Sequence, residues 1–243
     1  MKYFKIMWWP FEKKYSITGS GILNGWTDWH SHILPSVDDG IKFMEDSLKV
    51  LDFYKEQGVY EVWFTPHIMA DTPNETEFLC SKFEKFQAMY KGPVKIHLSA
   101  EHMIDRLFEQ RLDEDDLLPY ENNCLLVETS YLNPPINLWE ILEKIHKKGY
   151  YPILAHPERY VYMEEEDYKR LMRMDIKFQL NLQSVVGAYG REAQNKACKL
   201  LKAGYYQYSG SDVHRFDAMV SNFSKEAIPS SILKAIEEVI ELN

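Results

Sequence analysis

The sequence predicts a single α/β barrel of the TIM type, and two observations lead to that fold class. From about residue 26 onward, seven short apolar runs alternate with longer segments whose apolar residues recur at helical spacing. The connections are short, so the strands should be parallel and joined by helices. Seven such units in roughly 215 residues favour a closed barrel over an open doubly wound sheet.

The predicted strands cover residues 26–32, 61–67, 94–101, 124–130, 151–157, 177–184 and 205–212. Four segments between them have helical periodicity and are predicted to end at a left-handed C-cap glycine, at Gly58, Gly92, Gly149 and Gly204. The open sheet remains the alternative. No G-x-G-x-x-G follows the first strand and no G-x-x-x-x-G-K-[ST] occurs, so its nucleotide-binding form loses its main support.

Residues 1–25 do not join this alternation, and we expect an N-terminal arm there and one folded domain over residues 26–243. The arm has two interpretations. It is a partly ordered terminus, or Trp8 and Trp9 pack on a neighbouring subunit of a homo-oligomer or on another partner.

Composition excludes several classes of protein. A net charge of -9 argues against nucleic acid as a partner, because such binding needs a basic surface. Three scattered cysteines without a C-x-x-C pair suggest neither a disulfide framework nor a zinc knuckle. No apolar run reaches transmembrane length, so we expect a cytoplasmic protein.

Metal-binding residue types stand at the carboxyl ends of six of the seven predicted strands. Loops of a barrel converge at that end, so these side chains should meet in space. Residues i and i+2 of a strand share a face, which turns His30 and His32 inward together and does the same for Asp212 and His214. One such His is usually a core or loop residue, but five of the chain's eight are hard to explain that way. The candidates are His30, His32, Asp39, His67, Glu101, Glu128, His156, Asp212 and His214.

His97, His102 and His146 are left out of this set because of their positions in the sequence. Nine donors are too many for one ion, so the set predicts two or three clustered divalent ions, Mn²⁺, Fe²⁺ or Zn²⁺. Three such ions would exceed the charge of the four carboxylates and attract an anionic substrate, which favours phosphate ester hydrolysis. Arg159 follows His156 closely enough to clamp phosphate oxygens at the same mouth.

Several motifs together resemble the PHP superfamily, and within it the bacterial protein-tyrosine phosphatases linked to capsule and exopolysaccharide synthesis. They are DWHSHILPSVDDG, TPH, SAE, VET, AHPERY and SDVH, and they span residues 26–220 in the family's order. The resemblance implies a distorted (β/α)₇ barrel that holds three ions, usually manganese, at its carboxyl mouth. It implies ligand roles for the same nine residues, with Asp39 chosen over Asp38, and phosphate contact by Arg159.

The substrate that the resemblance implies is phosphotyrosine on the tail of a bacterial tyrosine kinase. We expect attack by a metal-bridging hydroxide, with Arg159 and Asp212 as catalytic residues and no covalent intermediate, since no cysteine begins a C-x-x-x-x-x-R motif. The family's second Arg, a few residues past the last His, is missing. Either Arg159 and the metals bind the phosphate alone, or Arg215, directly after His214, substitutes for the missing residue. Two alternatives remain: a PHP phosphatase of a small phosphomonoester such as histidinol phosphate, and a non-catalytic, metal-stabilised regulatory protein.

Overall fold

The structure, a computed structural model, describes residues 13–242. Its strands are β1 (Lys14–Tyr15), β2 (Thr27–Ser31), β3 (Glu61–Phe64), β4 (His67–Ile68), β5 (Lys95–Leu98), β6 (Glu101–Met103), β7 (Cys124–Glu128), β8 (Tyr151–Ala155), β9 (Lys177–Asn181), β10 (Tyr208–Gly210) and β11 (Ile228–Pro229). Its helices are α1 (Ile17–Ser20), α2 (Met44–Gln57), α3 (Thr76–Met89), α4 (Arg106–Glu114), α5 (Leu138–Lys147), α6 (Glu165–Arg173), α7 (Leu182–Val185), α8 (Gly190–Lys202), α9 (Phe216–Phe223) and α10 (Ser230–Glu241).

Parallel strands curl into a barrel with seven strand positions, which we call staves. Two of the staves are each made of two short strands with a break between them. One sheet has the order β2, β3, β5 and the other the order β10, β9, β8, β7, β6, β4. Because β4 continues β3 and β6 continues β5 along the chain, the two sheets form one surface of seven staves. Two backbone hydrogen bonds cross the breaks, from Ser99 N to Phe64 O (2.9 Å) and from Glu101 N to Pro66 O (3.1 Å).

The barrel closes where the first stave meets the chain after β10. Asp212 N donates to His30 O at 2.7 Å, and His32 N donates to Val213 O at 3.1 Å. Ser31 and Val213 also form a parallel bridge. The predicted α/β barrel is therefore confirmed, with the closing seam beside the first ligand motif.

Alternation along the staves separates the core into two parts. On β7, Leu125 and Val127 pack into the main hydrophobic core, whereas Leu126 belongs to a second cluster and Glu128 lies at the mouth. Since neighbouring residues of a strand face opposite sides, the second cluster fills the barrel interior below the mouth. Aromatic and aliphatic side chains make up this interior, including Trp29, Trp63, Tyr120, Ile153 and Tyr208.

The described part of the predicted arm packs on the domain. The strand β1 pairs antiparallel with β11, and Ile17 and Leu23 are buried in the main core. Trp8 and Trp9 lie outside the described residues, so their proposed role in subunit contact stays a prediction. Between residues 13 and 242, no helix is both long enough and apolar enough to cross a membrane.

Three of the four predicted helix ends are confirmed. Left-handed glycines follow α2, α5 and α8, at Gly58, Gly149 and Gly204. The prediction for Gly92 is wrong, because α3 already ends at Met89 and the next residue, Tyr90, is extended. A Cβ on Gly92 would collide with the Tyr90 ring, so close approach and not helix capping requires glycine there.

Asp28 joins the two sides of the seam on the face of the barrel that packs against α2. Its carboxylate, fully buried, accepts hydrogen bonds from Tyr54 Oη (2.6 Å), Ser211 Oγ (2.7 Å), Ser211 N (2.8 Å) and His30 N (3.2 Å). Burial raises its pKa to about 6 against the opposing effect of these donors. One side chain thus connects β2, α2 and the segment after β10.

Replacing Asp28 with Ala should destabilise the fold strongly, because buried donors on both sides of the seam lose their acceptor. We expect a loss of about 3 kcal/mol in the free energy of unfolding, measured by urea denaturation. Tyr54→Phe removes only one of the donors and should cost about 1 kcal/mol. Equal stabilities for Asp28→Ala and the unaltered protein would contradict this role.

Candidate metal centre

All nine candidate ligands lie together at the carboxyl mouth of the barrel. Their donor atoms form four overlapping groups, and within each group all atoms lie within 4.8 Å of one another. The groups are His32, Asp39, His67 and His214; His30, His32 and Glu101; His30, His156 and Asp212; and His67, Glu101 and Glu128. Because the groups share residues, they form one continuous cluster with room for more than one ion.

The breaks in the staves place two of these ligands. His67 begins β4 and Glu101 begins β6, so each stands directly after the interruption of its stave. His156 follows β8 in a left-handed conformation (φ 34°). Left-handed backbone at a residue other than glycine costs free energy and is found preferentially at functional sites.

The last two ligands reach the cluster by a route that the sequence did not predict. The strand β10 ends at Gly210, and Asp212 is left-handed (φ 50°). The explanation from strand alternation is therefore wrong for Asp212 and His214. The turn still brings them in, since His214 Nδ1 lies 3.3 Å from Asp212 Oδ1.

Histidine nitrogens and carboxylate oxygens lie close together inside the cluster, as the donors of a metal site do. Two imidazole nitrogens face each other, His30 Nε2 and His32 Nε2, at 3.1 Å. His67 Nδ1 lies 3.1 Å from both Glu101 Oε2 and Glu128 Oε1. Among residues 13–242, the atoms His67 Nδ1, Glu101 Oε2 and Glu128 Oε1 have no hydrogen-bond partner, although all three are buried. Buried polar atoms are normally satisfied, and divalent ions bound by nitrogen and oxygen donors would satisfy these, so the residues fit such ions.

A second layer of side chains orients the histidines. Gln179 Oε1 lies 2.9 Å from His30 Nδ1, and Asp38 Oδ2 lies 2.8 Å from His32 Nδ1. Each partner accepts the proton on Nδ1, which leaves the Nε2 lone pair free to face an ion. Asp39 differs from Asp38, because 74% of its side chain is exposed and Oδ1 lies 3.5 Å from His67 Nε2. The geometry thus separates Asp38, which contacts His32 Nδ1, from the candidate ligand Asp39, whose carboxylate faces His67.

The strand β9 carries no candidate ligand, yet it supplies two amides that hold ligands in place. Gln179 contacts His30, and Asn181 Nδ2 donates to Asp212 Oδ2 at 2.7 Å. Sequence reasoning missed both residues. The signal was present, since polar residues two apart in the run FQLN share one face of a strand.

The histidines and carboxylates of the cluster shift one another's pKa values. Burial by itself would lower the pKa of His30, but the carboxylates of Glu101 and Asp212 outweigh burial and raise it to about 9. Burial likewise disfavours an ionised Glu101, and its histidine neighbours nevertheless hold its pKa well below the usual range. His102 is a contrast, because burial lowers its pKa to about 4 and its Nδ1 lies 3.3 Å from Leu126 O. His102 is therefore a neutral core residue, as expected from its position next to Glu101.

A cavity of about 400 Å³ opens above the cluster, and two arginines line it. Arg159 Nη1 donates to Asp212 Oδ2 at 2.9 Å. Arg215 is exposed at the start of α9. The structure thus brings both predicted phosphate-binding residues to the mouth, where Arg159 is bound to Asp212 and Arg215 is exposed.

A parallel barrel with buried histidines and carboxylates at its carboxyl mouth is an architecture of metal-dependent hydrolases. The family model for capsular polysaccharide synthesis, CpsB/CapC, matches residues 26–227. The chain belongs to this family.

Individual relatives agree with this assignment. The tyrosine-protein phosphatase YwqE of Bacillus subtilis is 25% identical over 194 residues, which cover 77% of this chain and 76% of that protein. The tyrosine-protein phosphatase CpsB of Streptococcus agalactiae is 27% identical over 211 residues, covering 78% and 83%. A solved structure from work on the metal-dependent tyrosine phosphatases YwqE and CpsB (Streptococcus pneumoniae) superposes with a TM-score of 0.72 at 22% identity, covering 88% of this chain and 93% of that one. This last likeness shows the same fold.

Replacing Gln179 with Leu should weaken metal binding by about 10- to 100-fold, because the His30 ring loses the acceptor that fixes its tautomer. Isothermal titration of Mn²⁺ into chelator-treated protein would measure the change. Gln87→Leu, on the exposed face of α3, is the matched control and should bind Mn²⁺ as the unaltered chain does. Equal affinities for the two variants would argue against the role of Gln179.

Proposed function

We propose that this chain is a metal-dependent protein-tyrosine phosphatase that acts on a bacterial tyrosine kinase regulating capsule or exopolysaccharide synthesis. The observation that carries the proposal is the cluster of nine converging donors with Arg159 at its edge, beneath an open cavity. Membership of the CpsB/CapC family supports the link to capsule synthesis. The names of the curated relatives support the phosphotyrosine substrate.

The nine donors would hold two or three divalent ions, and we propose Mn²⁺, with Fe²⁺ or Zn²⁺ as alternatives suited to the same donors. When bound, such ions lower the pKa of water and neutralise phosphate charge. Arg159 would contact the phosphate with its planar fork. Arg215, at the cavity wall, would add a second positive charge in place of the family's missing Arg.

Thiol chemistry is a poor alternative. Burial raises the pKa of the thiols of Cys80, Cys124 and Cys198 above their ordinary values. A nucleophilic cysteine needs the opposite shift, because the thiolate is the reactive form. None of the three lines the cavity at the cluster.

The rim of the mouth favours a protein substrate over a free metabolite. Leu132 is 67% exposed and Val161 is 46% exposed, and both stand on loops beside the cavity. A hydrogen bond from Val161 N to Tyr131 O (2.9 Å) ties these two loops together. Exposed apolar side chains next to an active site offer contact to a chain that flanks the phosphotyrosine.

Chelation and ligand substitution test the metal dependence. The purified protein should hydrolyse a phosphotyrosine peptide with Mn²⁺ present and lose the activity in excess chelator. His32→Ala and Asp212→Ala should each lower turnover by at least about 1,000-fold, since both remove a donor at the centre of the cluster. His146→Ala, on α5 far from the donors, is the control and should retain full turnover. Full activity in excess chelator would refute the proposal.

A comparison of kcat/KM for two substrates distinguishes this proposal from the two alternatives. We expect kcat/KM to be at least about 100-fold higher for a phosphotyrosine peptide than for histidinol phosphate, because only the peptide reaches the apolar rim. The double variant Leu132→Ser with Val161→Ser should lower kcat/KM for the peptide and leave turnover of histidinol phosphate unchanged. A ratio below one would favour the small phosphomonoester. A protein that melts higher with Mn²⁺ yet hydrolyses neither compound would favour the regulatory role.

A further inference from the structure

The guanidinium group of Arg159 lies between two aromatic rings. Its Cζ is 4.2 Å from the centre of the Tyr131 ring and 4.1 Å from the centre of the Tyr189 ring. Both distances are those of direct cation–π contact, in which the flat guanidinium stacks on the ring faces. We name this arrangement, Tyr131 with Arg159 and Tyr189, the arginine stack.

Each ring is itself held in place. The Tyr131 ring lies 5.6 Å from the His156 ring and 6.1 Å from the Tyr160 ring, measured between centres. On the other side, Tyr189 Oη accepts a hydrogen bond from Asn181 Nδ2 at 3.1 Å. The stack therefore rests on the barrel through β8, β9 and the residues that follow them.

The stack leaves one edge of the guanidinium free. Nη1 donates to Asp212 Oδ2, and no other hydrogen bond of the guanidinium is found within residues 13–242. Only 17% of the Arg159 side chain is exposed, and that portion lines the cavity above the cluster. With two ring contacts and one edge anchored, the side chain can meet an anion where it lines the cavity.

We propose that Tyr131 and Tyr189 are positioning residues that hold Arg159 in the orientation needed to bind the phosphate of the substrate, a role that rests on the proposed phosphatase function. An unsupported arginine pays the loss of rotamer freedom when it binds an anion. The stack has already fixed the side chain, so phosphate binding costs less. Burial beside the two rings also keeps most water from the Arg159 side chain, which strengthens its attraction for phosphate.

The structure offers variants that separate the ring from its hydroxyl. Tyr131→Phe and Tyr189→Phe keep both stacking faces, whereas Tyr131→Leu and Tyr189→Leu remove them at similar volume. Tyr151 is 53% exposed at the start of β8, at the opposite end of the barrel, so Tyr151→Leu is the matched control.

Binding of inorganic phosphate to the Mn²⁺-loaded chain is the decisive measurement, because it requires no turnover. Each Leu variant should weaken phosphate binding by up to about tenfold in isothermal titration, the size of the rotamer freedom that an unsupported arginine loses on binding. Tyr131→Phe and Tyr151→Leu should stay within about twofold of the unaltered chain, and Tyr189→Phe, which also loses the hydrogen bond from Asn181, should lose less than Tyr189→Leu. Every titration uses saturating Mn²⁺, because Tyr131 and Tyr189 also contact the candidate ligands His156 and Asp212.

An Arg159→Ala background tests whether the rings act through the arginine. There, Tyr131→Leu and Tyr189→Leu should weaken phosphate binding no further, so the effects are not additive. Two results would overturn the proposal: unchanged phosphate binding in the Leu variants, or an equal loss with and without Arg159. If a Leu variant raises KM for a phosphotyrosine peptide but leaves phosphate binding intact, the rings contact the substrate's own ring and the positioning role is wrong.

Two further measurements distinguish a loss of folding from a loss of Arg159 positioning. Melting temperature shows whether a variant is folded, and the ¹⁵Nε signal of Arg159 reports the mobility of its side chain directly. Greater mobility of Arg159 in each Leu variant than in the Phe variant at the same position would support the stack; equal mobility in all four would contradict it. Absence of phosphotyrosine hydrolysis would refute the proposed function and leave the phosphate-binding result standing.

Discussion

Burial of three carboxylates in one small volume is the constraint on which the rest of this protein depends. Glu101, Glu128 and Asp212 are each at most 2% exposed and lie at the same mouth of the barrel. Like charges at such distances repel one another, and their removal from water costs several kcal/mol each in typical cases, so they need positive partners. Histidines that face them, and the divalent ions that the donor set fits, meet this need.

The surrounding structure is organised to hold those groups in position. The breaks in two staves deliver His67 and Glu101 to the mouth, and the closing seam delivers Asp212. Behind them, side chains without any ligand role fix the imidazole rings by hydrogen bonds to Nδ1. The strand β9, which contributes no candidate ligand, therefore helps to position candidate ligands of other strands.

Asp212 joins the two halves of the site. Its Oδ1 faces the histidines, 3.3 Å from His32 Nε2, whereas its Oδ2 accepts hydrogen bonds from Arg159 and Asn181. One carboxylate thus links the donor cluster to the positive group at the cavity wall. This sharing holds the Arg159 guanidinium beside the donor cluster, and a fixed charge next to a reacting group is what preorganised electrostatic catalysis needs.

Local sequence determined most of the barrel strands, four of the longer helices and the donor set. Apolar alternation and strand-end histidines are properties of neighbouring residues, so β2, α2 and the motif around His30 could be read directly. The helices α6 and α10 were not predicted, although each has buried residues at helical spacing; six of the nine residues of α6 are charged, and only Tyr168 and Leu171 are buried. The prediction for Gly92 was wrong because the residue lies against the Tyr90 ring and not at a helix end.

Contacts between distant segments were decided only by the tertiary structure. Asp28 and Ser211 are 183 residues apart and meet because the barrel closes. The left-handed turn at Asp212 and the two rings around Arg159 likewise have no local signature. Residue type predicts which side chains can bind a metal, because ligand chemistry belongs to the side chain. Which neighbours orient them depends on how the chain folds back on itself, and that is a property of the whole barrel.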